Sequence, residues 1–363
     1  VFLKTGIGHY VWNLYRELSR SMEVRVTPTV SPTAARRLSL ATGFSRGLRR
    51  VLGDSVLKLS VPLGDLLISK AEESARLPDA DLYHETDFSP IPEGRWKTVA
   101  NIYDLSFLLH PRHLPEAVVR KCRSNLANVS SVDRVIVNTA AVRAEAKALL
   151  NIDGSRIDVI PLAPSGNYHA MLDKTEAQRG IRKYASRDYI LYVGTIEPRK
   201  NIPVLLRAFG ILRKRYPLTL VLAGGKGWLC DDILEMPRRL GMGDDVVLTG
   251  YVAEEELLYL YNCASVVVYP SLYEGFGLPV IEALSCGAPL IISDIPSLRE
   301  VAGDAALSFQ SDDHEALAAL LERVLLSEAL RDDLRQRGLR RAAEYSWERV
   351  AAMTIAAYRR ALG

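Results

Sequence analysis

The chain has 363 residues, 48% of them hydrophobic, and a formal net charge of +3. That length exceeds one ordinary domain and that apolar share is ample for two packed cores, so two domains are expected. A charge so close to balance gives no reason to expect a nucleic-acid partner, and no zinc-finger, RNP or helix-turn-helix pattern stands out.

The four cysteines, Cys122, Cys230, Cys263 and Cys286, lack metal-ligand spacing, and reduced thiols in a cytosolic protein are the expected state. No run of about 18 apolar residues occurs, so no transmembrane helix is expected, and no signal peptide is visible. The numbering opens on Val1 where a first strand should already have passed, which predicts that residues precede it.

In chain order, Thr5-Gly6-Ile7-Gly8-His9-Tyr10 opens a helix. Its apolar stripe is read as Val11, Leu14, Tyr15 and Leu18. A Gly-x-Gly turn ahead of a helix is a weak phosphate signal, equally a plain strand-to-helix turn. Residues 23–30 read as a strand. Residues 34–58 then interleave Arg36, Arg37, Arg46, Arg49, Arg50 and Lys58 with leucines and valines. Such a basic amphipathic stretch suits either an anionic membrane surface or a solvated helix face over a core.

Short apolar runs follow at 81–84, 98–104, 132–139 and 157–161, alternating with helical stretches. That alternation predicts a parallel α/β sheet with ligands at the carboxyl ends of its strands. Gly8, His84, Tyr103 and Asp104 then fall near one crevice. Asp104 is a polar candidate there or a helix N-cap. Residues 166–187 are polar and read as the linker. A second series of strands follows at 189–194, 218–223, 246–249, 264–269, 289–293 and 306–309.

Thr195-Ile196-Glu197-Pro198-Arg199-Lys200-Asn201 sits between a strand and a helix. Cations at a helix start oppose the helix dipole, so Arg199 and Lys200 point to an anion bound there. Lys226 lies in a glycine-rich turn after the next strand. Finally, Pro270–Gly287 reads PSLYEGFGLPVIEALSCG between two buried strands. Pro279 suits the start of a short helix and Gly287 its end. The free amides of that helix form an anion site. Glu274 and Glu282 bracket the turn. Taken singly, Glu282 is also what dipole complementarity would place in a first helical turn, and Glu274 is also a solvated loop charge.

The complete string EGFGLPVIEALSCGAP resembles the retaining nucleotide-sugar glycosyltransferases of the large family typified by sucrose synthase and bacterial mannosyltransferases. Their signature is E-x(7)-E, met here by Glu274 and Glu282. The resemblance implies the GT-B fold: α/β, two Rossmann-like doubly wound parallel-sheet domains facing across a cleft. It divides the chain into an acceptor-binding domain (1–170), a nucleotide-sugar-binding domain (171–345) and a last helix (346–363) crossing back, with Trp347 as its anchor. It gives Glu274, Lys200 and Arg199 catalytic roles. It puts Gly6, Gly8, Thr195, Lys226, Tyr251, Val252, Gly275, Phe276, Gly277, Leu278 and Glu282 around the donor, and His84, Tyr103 and Asp104 on the acceptor side.

Two departures stand out. Tyr103 replaces the family's histidine in a His-Asp-Leu triad, and Thr195 stands where many members carry arginine. No metal site is required by this scheme and no cofactor is expected, the nucleotide sugar being a substrate. The runs YVGTIEPRKN and YDLSFL look most like bacterial polysaccharide mannosyltransferases. That points to GDP-mannose, with UDP- and dTDP-linked sugars left open. The implied acceptor is a saccharide or lipid-linked saccharide, and the implied place is the cytoplasm or the inner face of its membrane. Competing readings are a non-catalytic nucleotide-sugar-binding or partner subunit, a glycoside hydrolase using paired carboxylates, and a nucleotide-sugar epimerase.

Overall fold

The computed structural model describes residues 6–27, 80–86, 91, 94–126 and 129–363. The basic stretch 34–58 lies outside the described residues. So do residues 28–30 of the strand expected at 23–30, and its described part, 23–27, belongs to no strand.

The described part of the first domain opens with the helix Gly6–Leu18. Its strands are β1 (Leu82–Glu85), β2 (Lys97–Ile102), β3 (Arg134–Val137) and β4 (Ile157–Val159). They form one parallel sheet in the order β1-β2-β3-β4. Val99, Ile102, Val135 and Val137 are fully buried, as expected where helices cover both faces of a parallel sheet. The helix Ala140–Leu150 follows β3 and starts on Thr139, whose hydroxyl accepts from the Val142 amide.

The second domain contributes β5 (Tyr189–Val193), β6 (Thr219–Ala223), β7 (Val246–Gly250), β8 (Val266–Tyr269), β9 (Leu290–Ser293) and β10 (Leu307–Phe309). They form a parallel sheet in the order β10-β9-β8-β5-β6-β7. β5 pairs with both β6 and β8, so chain direction across the sheet reverses between β5 and β8. In an open α/β sheet, ligands bind at the carboxyl ends of the strands flanking such a reversal. The loops leaving β5 and β8 carry Arg199, Lys200 and Glu274.

The stretch 166–187 is more than a tether. Tyr168 is buried and meets Tyr261 edge-on at 5.6 Å, and the Met171 amide donates to Asn262 at 2.8 Å. The last helix, Trp347–Leu362, packs on Gly6–Leu18 and on β2. The Trp347 indole donates to the Pro164 carbonyl at 2.9 Å, and its ring lies 6.0 Å from Tyr10. No helix among the described residues is long and apolar enough to cross a membrane.

The first helix buries Leu14 and Leu18 as expected but turns the other two residues of the expected stripe outward. Tyr10, Leu14 and Leu18 are buried together with Asn13 and Glu17, while Val11 and Tyr15 face out beside Trp12. Glu17 tolerates burial because Arg16 and Arg20 both reach its carboxylate, at 3.0 and 2.9 Å.

Candidate functional site

The site is built where the chain reverses. After β5 the segment Pro198–Lys200 forms one tight turn, and Asn201, in a left-handed conformation, starts the helix Ile202–Leu212. After β8 the segment 270–277 leads into the helix Leu278–Ser285. Gly277 has φ +95°, a conformation that suits glycine, and Pro279 occupies the first turn, where its missing N–H leaves nothing unpaired. The Leu272 amide donates to the Arg199 carbonyl at 2.9 Å and fixes the two loops to each other.

Glu274 is the hub. The Lys200 ammonium lies 2.5 Å from Oε1, the Ser271 hydroxyl donates to the same oxygen at 2.7 Å, and Arg199 Nη1 donates to Oε2 at 3.0 Å. Arg199 also donates to the Tyr273 carbonyl at 2.9 Å and to Glu197 at 2.8 Å. Lys200 donates to the Tyr269 hydroxyl at 3.0 Å. Glu197, Lys200 and Glu274 are all buried. Burial by itself would raise the Glu274 carboxyl; Lys200 and Arg199 outweigh it and bring the group down to about 2. Burial pulls Lys200 the other way, below the usual ammonium range, against the pull of Glu274. For Arg199, burial is outweighed by Glu274, Asp104 and Glu197, so the guanidinium stays charged. One buried polar atom here lacks a partner: Arg199 Nε.

Glu282, one helical turn into Leu278–Ser285, has different surroundings. Its carboxylate accepts a hydrogen bond from the Tyr261 hydroxyl at 2.9 Å. Burial pushes its carboxyl up to about 7, with the nearby Glu254 adding to the rise and Tyr261 opposing it.

The remaining donor candidates differ in exposure and lie in both domains. Thr195 is exposed, its carbonyl accepting from Tyr192 at 3.0 Å. Lys226 is exposed on a turn whose backbone zips to the Thr195 loop, through Ile196 to Gly225 at 2.9 Å and Gly227 to Ile196 at 3.0 Å. Tyr251 is exposed just past β7, and Val252 is buried. Phe276 is buried edge-on against Tyr345 at 5.9 Å, and Leu278 is half-buried. Gly6 and Gly8 lie in the first turn of their helix. Gly275 is in direct contact with the first domain: a Cβ on it would lie 1.8 Å from the Tyr103 carbonyl oxygen.

On the acceptor side, two of the three candidates are engaged elsewhere. His84 bonds the Tyr358 hydroxyl at 2.7 Å and Asn101 Oδ1 at 2.9 Å, which makes Nε2 the donor and Nδ1 the acceptor. Burial lowers its imidazole to about 4, so it is neutral and wedged beneath the last helix. The Tyr103 hydroxyl donates to the Thr86 carbonyl at 2.5 Å, and its ring meets Tyr10 edge-on at 5.6 Å. Asp104 accepts from the Ser106 amide at 2.9 Å, a turn-capping contact, while its charge bears on Arg199. Sequence reasoning missed Glu197, Tyr269, Ser271 and Tyr273, all of which touch Arg199, Lys200 or Glu274. All four lie within five residues of those three, and that adjacency was the available signal.

Two parallel-sheet α/β domains are the architecture of the GT-B class. The fold matches sucrose-phosphate synthase from Thermosynechococcus elongatus with a TM-score of 0.67 over 85% of this chain and 79% of that one, at 22% identity. The family model "Glycosyl transferases group 1" matches residues 173–341. The chain is 36% identical over 285 residues to O-antigen chain mannosyltransferase B of Escherichia coli, covering 77% of this chain and 74% of that protein. It is 29% identical over 357 residues to serotype-specific mannosyltransferase WbdA of Escherichia coli, covering 96% of this chain and 43% of WbdA. The chain belongs to the group 1 glycosyltransferases.

Proposed function

We propose that this glycosyltransferase moves mannose from GDP-mannose, with retention at the anomeric carbon, onto a saccharide or lipid-linked saccharide in the synthesis of a bacterial surface polysaccharide. The sugar and the process rest on the two mannosyltransferase relatives. The site roles rest on one observation: Lys200, Arg199 and Glu274 converge at the chain reversal of the second sheet.

In this reading the donor diphosphate lies against Arg199, Lys200 and the N-terminus of Leu278–Ser285. As the bond from the anomeric carbon to the phosphate oxygen breaks, its electron pair goes to the leaving diphosphate. Preorganised cations and amides stabilise that charge. The unpartnered Arg199 Nε is a donor that an anionic ligand would satisfy. No metal ion is needed in this scheme.

Glu274, held at about 2, is a fixed anion and a poor proton acceptor at neutral pH. It suits hydroxyl contacts on the transferred sugar and positive charge developing at the anomeric carbon. The acceptor hydroxyl then bonds that carbon on the face being vacated and gives its proton to the departing phosphate oxygen. Glu282 accepts the ribose hydroxyls.

The test is a thermal-shift panel of GDP-, UDP- and dTDP-sugars with purified protein, followed by an assay for nucleoside diphosphate release. GDP-mannose is expected to raise the melting point, because a ligand of the folded state alone stabilises it by mass action. A UDP- or dTDP-sugar acting alone would overturn the choice of donor. Binding of GDP-mannose without any release or transfer would favour a binding subunit.

A further inference from the structure

The loop that carries Glu274 is held from both sides. Within its own domain it is tied by Arg199, Lys200 and Ser271. From the other side, the first domain grips its immediate neighbours. Tyr273 is buried, and its hydroxyl donates to Glu145 Oε2 at 2.6 Å while accepting from the Leu105 amide at 2.9 Å. The Thr139 hydroxyl donates to the Gly275 carbonyl at 2.9 Å. Gly275 lies so close to Tyr103 and Asp104 that no side chain fits there.

Thus Tyr273-Glu274-Gly275 rests directly on Tyr103-Asp104-Leu105. A second contact reinforces the first. Glu300 of the second domain accepts from the Ala140 and Ala141 amides, at 2.8 and 3.2 Å, at the start of the helix that carries Glu145. A carboxylate at a helix N-terminus is favourable, and here it comes from the opposite domain.

We propose that Tyr273 is a positioning residue that couples closure of the two domains to placement of the Glu274 carboxylate. Its phenol reads whether Glu145 and Leu105 are in place, and its carbonyl is held by Arg199, which also holds Glu274. When the domains part, the phenol loses both partners and the Glu274 loop loses one of its two supports. The coupling rests on the transferase reading above, but the clasp itself can be measured without it.

The test uses Tyr273→Phe, Glu145→Ala, Glu145→Gln and the double variant Tyr273→Phe/Glu145→Ala in the full chain. Release of GDP from GDP-mannose, with water as acceptor, gives kcat and KM. Small-angle scattering of the free protein gives its radius of gyration. Removing a hydrogen bond realised only in the closed state should lower kcat in Tyr273→Phe about tenfold and leave the donor KM within about twofold. Glu145→Ala should match it, and the double variant should be no worse than either single one. Glu145→Gln still offers the phenol an acceptor and should stay within about threefold of wild type. Both disruptive variants should enlarge the radius of gyration. Wild-type kcat in Tyr273→Phe, or losses that multiply in the double variant, would overturn the coupling. An unchanged radius would overturn the clasp. Should wild-type protein release no GDP, the choice of donor or the transferase reading falls, and the scattering result still decides the clasp.

Discussion

The two acids of the signature lie on one short loop and helix, yet their surroundings drive them in opposite directions. Glu274 is met by two cations and a hydroxyl and is held at about 2. Glu282 is met by a single phenol beside another carboxylate and rises to about 7. The difference comes from the sheet. Glu274 stands over the reversal between β5 and β8, where the loop after β5 delivers Arg199 and Lys200. Glu282 points from the helix toward Tyr261, on the helix Glu254–Cys263, and no cation among the described residues forms an ion pair with it. Two identical side chains thereby become a permanent anion and a group that shares its proton near neutrality.

The largest break in that contrast is Glu274→Gln. It keeps the shape and removes the charge, so transfer should fall about 10²–10³-fold, the usual scale for losing one preorganised electrostatic contact in a transition state. Stability should fall by about 3 kcal/mol, because Lys200 is left buried without its counter-charge. The folded-state value of Glu274 lies below its ordinary one, so its stabilising contribution is present above about pH 4.5 and lost as the pH falls toward 2. Acid unfolding of the Gln variant should therefore show a shallower limb in circular dichroism. Lys200→Met comes next. It fills the same space but withdraws the cation proposed to face the leaving group. Transfer should drop about 10²-fold, with donor KM rising as well, in steady-state kinetics.

The second domain was largely legible in the sequence, because its strands are short apolar runs bounded by glycine turns. β5 through β10 fall within two residues of where those runs place them. The convergence of Lys200 with Glu274, 74 positions away, was legible only through the signature and the general rule for strand reversals. What stayed hidden depends on long-range packing. His84 reads as a site residue at a strand end, but its partner Tyr358 is 274 positions away on a helix that returns to the first domain. Tyr103 turns toward Tyr10, which no local pattern announces. Helical spacing identified Leu14 and Leu18 on the buried face of the first helix but not whether Tyr10 or the pair Val11 and Tyr15 completes it. That choice was decided by Trp347 and Tyr103 packing on Tyr10, and by two arginines neutralising Glu17.

Glu282→Gln sharpens the comparison from the other side. The folded-state value of Glu282 lies above its ordinary one, so its contribution to stability is complete below about pH 4.5 and is lost as the pH rises through about 7. A neutral glutamine avoids that loss. The variant should be more stable than wild type at pH 8 by about 3 kcal/mol and indistinguishable near pH 4.5, in thermal melts across that window. Its donor KM should rise, since an amide accepts ribose hydroxyls less well than a carboxylate.

The smallest expected effect is that of Tyr261→Phe. The phenol is a donor that favours the ionised form of Glu282, so removing it should move the Glu282 titration upward. Stability at neutral pH should fall by about 1 kcal/mol, the net worth of one hydrogen bond. The loss of stability, which sets in above about pH 4.5, should run on to a higher pH than in wild type before it levels off. The discriminating measurement is the pair of variants together: if Glu282 is the titrating group, Tyr261→Phe made in the Glu282→Gln background should move no pH midpoint at all. A midpoint that still moves would assign the titration to another group and dissolve the contrast between the two acids.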